Sequence, residues 1–445
     1  MRIMLDIPIS LYEIEELFSA SYHCEESILV QAVSTDSREC EAGDLFFSLA
    51  KTVDQRLQHC LEAERRGAYT VSEGYGFITV ENSESALLKF ASFYKSKLPR
   101  LIKTVAITGS VGKSTATRFT SSLISLSYKV SSTIGNFNNR IGLSLSILNA
   151  TKDTEVLVLE MGMNHSGEIY EIARAICPEI CVITNIGKAH IGNLGSRKAI
   201  RDAKCEIITR YTEAVVCPAD EPLLRNVPHR LTVSSDVIKA DVCLIYKDGS
   251  YCIETRDLLI DGIELKVIGK HNKHNALIAA TVGLLLYMPM EKIRLGLSML
   301  GDGFADGRLR RIGDITFIDD SYNSSPDAVS AMLELIKGFP PIRVAILGDM
   351  LELGESAKTL HYEVGKSAAF LDRLYAVGDF SDYTVLGAID GGMEPIKAKS
   401  VHRLEPEQLA KEVCEGLTGG TVLIKGSHAT GISETMRYIR ERMEK

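Results

Sequence analysis

The sequence predicts an α/β protein in three units, 1–100, 101–306 and 307–445, and three observations carry that prediction. Strand-like and helical stretches alternate along the chain, a glycine-rich loop joins a strand to a helix near residue 110, and a second alternation of the same kind begins near residue 308. The length agrees, because 445 residues with 45% hydrophobic content suffice for two or three units that each bury a core.

The first unit reads as a small α/β fold: 11–19 has the apolar spacing of an amphipathic helix, and 29–33 and 44–48 read as strands. In the second unit 104–108 is a strand, a helix follows Lys113, and strands at 156–160 and 180–184 alternate with helices at 167–176 and 198–210. That order implies a parallel, doubly wound sheet with the glycine-rich loop at its carboxyl edge. The apolar run 276–287 is too short for a bilayer and reads as a buried helix. The third unit has strands at 315–319, 343–347, 373–377 and 421–425 separated by helical stretches, a Rossmann-like order that implies a cleft against the second unit.

Composition narrows the function. A net charge of −8 argues against a nucleic-acid surface. Ten cysteines stand singly with no C-x-x-C spacing and read as reduced, mostly buried thiols. Asp6 and Pro8 fall where a secretory signal needs an apolar core, and no apolar run is long enough to span a bilayer. A cytoplasmic protein without membrane insertion is expected.

The segment Thr108-Gly-Ser-Val-Gly-Lys-Ser114 is the most informative stretch. Between a strand and a helix, its backbone N–H groups point at an anion, the lysine reaches the outer phosphates of a nucleoside triphosphate, and the Ser114 hydroxyl can ligate magnesium. Ile107 stands where the longer phosphate-loop pattern has glycine, so the loop is of the shorter T-G-x-x-G-K-[ST] kind. Glu160 ends an apolar strand at the same sheet edge, where a carboxylate can hold magnesium. Its plain alternative is a strand-end acid. His190 after a strand exit and Lys204 on a helix read, taken singly, as a packed histidine and a solvated cation.

In order along the chain, these groups resemble the Mur ligases, ATP-dependent amide ligases of peptidoglycan synthesis, and their folylpolyglutamate synthetase relatives. The resemblance runs from Thr35-Asp-Ser-Arg38 and Gly43-Asp-Leu-Phe46 through Gly135-Asn-Phe-Asn-Asn139, Thr184-Asn-Ile-Gly-Lys-Ala-His190 and His271-Asn-Lys-His-Asn275. It continues through Asp319-Asp-Ser-Tyr-Asn323, Leu347-Gly-Asp-Met-Leu-Glu-Leu-Gly354 and Val422-Leu-Ile-Lys-Gly-Ser427. The last three segments resemble the branch that adds D-alanyl-D-alanine to UDP-N-acetylmuramoyl-tripeptide.

The resemblance implies a site, residue by residue. Thr108, Gly109, Ser110, Val111, Gly112, Lys113, Ser114 and Thr115 wrap the phosphates of ATP, with Lys113 at the β/γ positions. Ser114 and Glu160 hold one Mg2+, and His190 helps to hold a second. Lys204 matches the family lysine that is carbamylated, a change that turns a cation into an anion with two oxygens for the metal. Asn275 meets the adenine, Arg308 reaches the phosphates, and Asp320 accepts from the ribose with Tyr322 and Asn323 nearby. Ser37 and Arg38 match the uridine diphosphate signature, Asn136, Phe137, Asn138 and Asn139 face the sugar-peptide, and Asp349 and Glu352 lie where peptide and dipeptide approach. Small-molecule substrates and a monomer are implied.

Substrate-side segments depart from the family. Ala50-Lys-Thr-Val-Asp-Gln-Arg56 lacks the usual Gly-x-x-x-Asp-Gly-His run, Arg140 stands where an acid is common, Pro218-Ala-Asp220 replaces Asn-Ala-Asp-Asp, and Ser427-His-Ala-Thr-Gly431 lacks the usual arginine. Three readings follow: a ligase for the UDP-muramoyl peptide, a related ligase acting on another carboxylate, and a non-catalytic nucleotide-binding paralogue. Retention of Lys113, Ser114, Glu160, His190 and Lys204 together argues against the last.

Overall fold

The computed structural model describes every residue except 21–27, 237–238, 302–308, 322 and 444–445, and the described residues form three sheets of five, nine and six strands. The first holds Arg2–Ser10, Leu29–Ser34, Leu45–Phe47, Tyr69–Glu73 and Ile78–Val80 in that order, the first pair antiparallel and the rest parallel. Arg2–Ser10 is a strand that Asp6 and Pro8 hide in the sequence. Its register shifts between Met4 and Ile9, and that irregularity accommodates a proline without an N–H, while Ile3, Leu5 and Ile9 alternate inward. Ser10 then ends the strand and caps the helix Leu11–Phe18, exchanging hydrogen bonds with Glu13 as a capping box. The helix Ser83–Ser96 turns Leu87, Phe90, Ala91 and Tyr94 into a core shared with the second unit, and the Tyr94 hydroxyl donates to the Ala150 carbonyl at 2.9 Å.

The second sheet runs Leu259–Ile263, Ser250–Thr255, Val242–Lys247, Arg230–Ser234, Ala214–Pro218, Ile180–Ile183, Lys103–Thr108, Val156–Glu160, Val130–Ser132. The parallel expectation holds from Val130–Ser132 to Val242–Lys247 and is corrected beyond it, where Ser250–Thr255 and Leu259–Ile263 pair antiparallel. Asp248 and Gly249, both with positive φ, make the two-residue turn whose backbone suits a hairpin. Residues 276–285 of the apolar run lie in the helix Lys270–Leu285, where Asn275 through Gly283 are buried against the helix Lys113–Ile124 and the sheet, while Tyr287 beyond it is exposed. The helix expected over 198–210 is Arg197–Cys205, capped by Ser196. Among the described residues no helix is long and apolar enough to cross a membrane, and Cys40 through Cys414 carry free thiols, with Cys24 outside the described residues.

The third sheet orders Leu309–Ile312, Ile315–Asp320, Gly420–Lys425, Arg343–Gly348, Arg373–Val377 and Ala398–Val401, parallel except for its first pair. It meets the second unit through loops beside the glycine-rich segment. Lys188 N donates to Asp327 Oδ2 at 2.5 Å, Lys188 Nζ lies 3.2 Å from Glu363 Oε2, and Gly192 N donates to the Glu352 carbonyl at 3.0 Å.

Candidate nucleotide and ligation site

Sterics shape the loop after Thr108. Gly109 has φ 154, and a Cβ there would fall 1.8 Å from Thr184 Oγ1, so no larger residue fits. Gly112, at φ 86, precedes the helix Lys113–Ile124 without a side-chain cap among the described residues, which leaves first-turn N–H groups for an anion. The neighbouring strand exit holds the loop ready. Thr184 Oγ1 and Asn185 Nδ2 donate to the Val111 carbonyl at 2.6 and 2.9 Å, while Asn185 Oδ1 accepts from Ser110 N at 3.1 Å and Val111 N at 3.0 Å. Lys113 Nζ donates to the Gly109 carbonyl at 2.9 Å, and burial lowers its pKa from the ordinary lysine value against the opposing charge of Glu160. Ser114 is exposed at the start of the helix and Thr115 is half-buried.

Glu160 ends Val156–Glu160, which pairs in parallel with Lys103–Thr108, so its carboxylate emerges at the loop's edge of the sheet. It is buried and accepts from Asn138 Nδ2 at 2.7 Å. His190 precedes the short helix Ile191–Leu194 with φ 62, and its Nδ1 bonds to Glu352 Oε2 across the boundary between the second and third sheets. Burial pulls its pKa below the ordinary histidine value; Glu352 opposes that shift, and Lys113 and Lys204 add to it. Lys204, in the last turn of Arg197–Cys205, is 1% exposed, and its Nζ makes no hydrogen bond or ion pair among the described residues. Burial first, and the charge of Lys113 second, hold its pKa well below that of an ordinary lysine, which favours the neutral amine.

The remaining expected residues divide. Asn275 is buried beneath the loop, where a Cβ on Gly112 would lie 3.0 Å from its Oδ1. Asp320 is ion-paired with buried Lys425 at 3.1 Å, and Asn323 Oδ1 accepts from Ser324 N at 2.8 Å. Arg308 and Tyr322 lie outside the described residues. On the first sheet, Ser37 donates to Glu62 Oε2 at 2.6 Å, and exposed Arg38 forks onto Asp36 at 2.9 and 2.7 Å. That pair holds the Asp36 carboxyl well below the usual carboxylate range.

Of the loop expected to face the sugar-peptide, Asn136 is exposed, Phe137 packs on Gly142, Asn138 supports Glu160, and Asn139 caps the helix Arg140–Leu148 with a 2.8 Å bond from Gly142 N. Asp349 differs from expectation. It is buried, and its two oxygens accept from Asp379 N at 2.8 Å and Phe380 N at 3.1 Å, so it braces a turn in its own unit. Glu352, at the boundary of the second and third units, has its carboxylate turned to His190.

Residues 107–283 match the Mur ligase middle domain, and residues 307–428 match the Mur ligase glutamate ligase domain. The chain belongs to the Mur ligase family. The UDP-N-acetylmuramoyl-tripeptide--D-alanyl-D-alanine ligase of Bacillus subtilis is 32% identical over 438 residues, covering 94% of each chain. The protein of the same name from Treponema pallidum is 31% identical over 441 residues, covering 92% of this chain and 94% of that one. Among solved structures, the MurF ligase of Thermotoga maritima in complex with ADP is 28% identical with a TM-score of 0.81, covering 93% of this chain and 97% of that one. MurF of Acinetobacter baumannii, at 24% identity, shares the fold along the whole of both chains with a TM-score of 0.87.

Within this Mur ligase, four residues near the site escaped the sequence reading as functional groups. Thr184 and Asn185 clamp the phosphate loop, Lys425 neutralises Asp320, and Asp327 joins the third unit to Lys188. A buried lysine at the end of an apolar strand, as in Thr421-Val-Leu-Ile-Lys425, was a usable signal, since such a cation needs a partner. The contacts of Asn185 and Asp327 depend on loops meeting in space and leave no local pattern.

Proposed function

We propose that this Mur ligase joins D-alanyl-D-alanine to UDP-N-acetylmuramoyl-tripeptide with ATP, the third unit meeting the dipeptide, the second holding ATP and the first holding the uridine end. The observation that carries the reading is a preformed phosphate loop with Glu160, His190 and the bare amine of Lys204 gathered beside it, in a chain 31–32% identical over nearly its full length to ligases of that name.

The chemistry asks for little more than position and charge. A carboxylate oxygen of the acceptor peptide attacks the γ-phosphorus, the bond to the β-phosphate oxygen breaks, and ADP leaves with an acyl phosphate formed. The dipeptide amine then adds to the acyl carbon, the tetrahedral intermediate collapses with loss of phosphate, and the amine's proton is released. Lys113 faces the phosphates, and the loop N–H groups and helix start orient them.

The donor set fits Mg2+. Among the described residues no group of three or more His, Cys, Asp and Glu side chains could hold a metal by itself, and an ion here would draw on Ser114 and Lys204 beside Glu160 and His190. An uncharged, unpartnered lysine amine is the form that adds carbon dioxide, and the resulting carbamate would give the hard oxygen ligands that Mg2+ prefers. When bound, the ion neutralises charge on the phosphates. Water-borne substrates suit a cytoplasmic enzyme, and one chain carries every group used, so a monomer suffices.

Phosphate release from ATP tests the reading. It should require both UDP-muramoyl-tripeptide and D-alanyl-D-alanine; release with a different acceptor carboxylate and none with this one would reassign the substrate. Arg38→Ala separates the two ends of the site. Its guanidinium is exposed and displayed by Asp36, so its loss should raise the KM for the UDP substrate by about tenfold, the scale of one charged hydrogen bond, with the KM for ATP unchanged. An equal rise for ATP would remove Arg38 from the diphosphate.

A further inference from the structure

His190 and Glu352 are unusual together. Both are non-glycine residues with φ 62, a backbone region that side chains disfavour and that persists where the surroundings impose it. Here the surroundings are each residue's own loop and the loop facing it. The Glu352 carbonyl accepts from Gly192 N at 3.0 Å, the His190 carbonyl accepts from Asn193 N and Leu194 N, each at 3.1 Å, and the side chains meet as Nδ1 and Oε2. The loops touch backbone to backbone, since a Cβ on Gly192 would fall 2.5 Å from Gly354 N and 2.6 Å from the Glu352 carbonyl oxygen. A carboxylate only accepts, so Nδ1 is the donor in this bond and Nε2 is the ring nitrogen left for a ligand.

We propose that Glu352 is a positioning residue for the ligation site: carried on the third unit, it sets the tautomer and aim of His190 on the second, so the position served by His190 Nε2 is complete only when the two units are docked. A carboxylate behind a metal-binding histidine is a general way of fixing the ring and raising its basicity. What is particular here is that the carboxylate comes from the other side of the cleft, so docking and metal affinity are linked. The inference rests on His190 being a metal holder, as proposed above.

The test is Mn2+ binding to the full chain in the presence of a non-hydrolysable ATP analogue, read by the electron paramagnetic resonance of free Mn2+. Glu352→Ala should weaken one ion by roughly 10–100-fold and leave the other unchanged. His190→Ala should weaken the same ion, and the double variant should be no worse than His190→Ala. Glu352→Gln, which keeps an acceptor, should recover part of the loss. Gly192→Ala, which forces the loops apart while leaving both side chains in place, should reproduce the weakening. Glu363→Ala, which removes only the 3.2 Å ion pair with Lys188 at the same boundary, should leave both ions as they were. Unchanged Mn2+ affinities in folded Glu352→Ala, or losses that add in the double variant, would overturn the proposal. Unchanged affinities in His190→Ala would instead overturn the assignment of His190 as a metal holder, and this inference with it.

Discussion

Lys113→Ala is expected to lower turnover by about 10³-fold, the effect of removing one preorganised electrostatic stabiliser from a phosphoryl-transfer site. The lysine is positioned for this in advance: Nζ is tethered to the Gly109 carbonyl at 2.9 Å, within the influence of Glu160 and beside the N–H groups of its own helix start. Its charge also acts on a neighbour, because it helps to hold down the pKa of Lys204. Removing it should therefore return protons to Lys204 and reduce the carbamate as well as the direct stabilisation of the phosphates. The two contributions separate when phosphate release is measured with and without added bicarbonate: excess bicarbonate should restore only the part that passes through Lys204. Near-normal turnover in either condition would count against the whole ligase reading.

The parts of this site that sequence made readable are those whose chemistry is local. A strand, two glycines at positions that need positive φ, a lysine and a helix start lie within one short stretch, and the observed loop follows that order. Glu160, His190 and Lys204 were ambiguous one by one, because an acid, a histidine and a lysine have ordinary uses at strand ends and on helices. Family resemblance singled them out, and in the fold His190 feels the charges of Lys113 and Lys204 while Lys113 feels that of Glu160. Asp349 and Glu352 show where such reasoning stops. They are three residues apart in one loop, yet one turns in to cap the amides of Asp379 and Phe380 and the other turns out across a cleft to His190. Nothing in Gly348-Asp-Met-Leu-Glu352 distinguishes those directions, since both partners come from elsewhere in the chain. The same holds for the fold. The antiparallel strands Ser250–Thr255 and Leu259–Ile263 break the βα rhythm, although Asp248-Gly249, which joins Val242–Lys247 to the first of them, is a recognisable hairpin turn.

Lys204→Ala should be at least as inactive as Lys113→Ala and still fold. A lysine that is 1% exposed, without a hydrogen-bond partner among the described residues and facing another ammonium, stabilises nothing as a cation. Folding lowers its pKa, so the unfolded chain binds the proton more tightly, and the lysine's cost to stability grows as pH falls from the unfolded lysine value towards the folded one. At neutral pH without carbon dioxide, Lys204→Met should therefore melt higher than the natural protein. The gap should close as pH rises towards 10, or when bicarbonate converts the amine to a carbamate and Mg2+ is supplied. Activity should follow the opposite course: Lys204→Met and Lys204→Ala inactive, the alanine variant partly restored by a short carboxylic acid that enters the vacated space, and Lys204→Arg inactive because a guanidinium keeps its charge and forms no carbamate. A solvated helix lysine would show none of this, since exposed substitutions change stability by about half a kcal/mol or less. An active Lys204→Arg enzyme would remove the carbamate from the mechanism and leave Lys113, Ser114 and Glu160 to handle the phosphates without it.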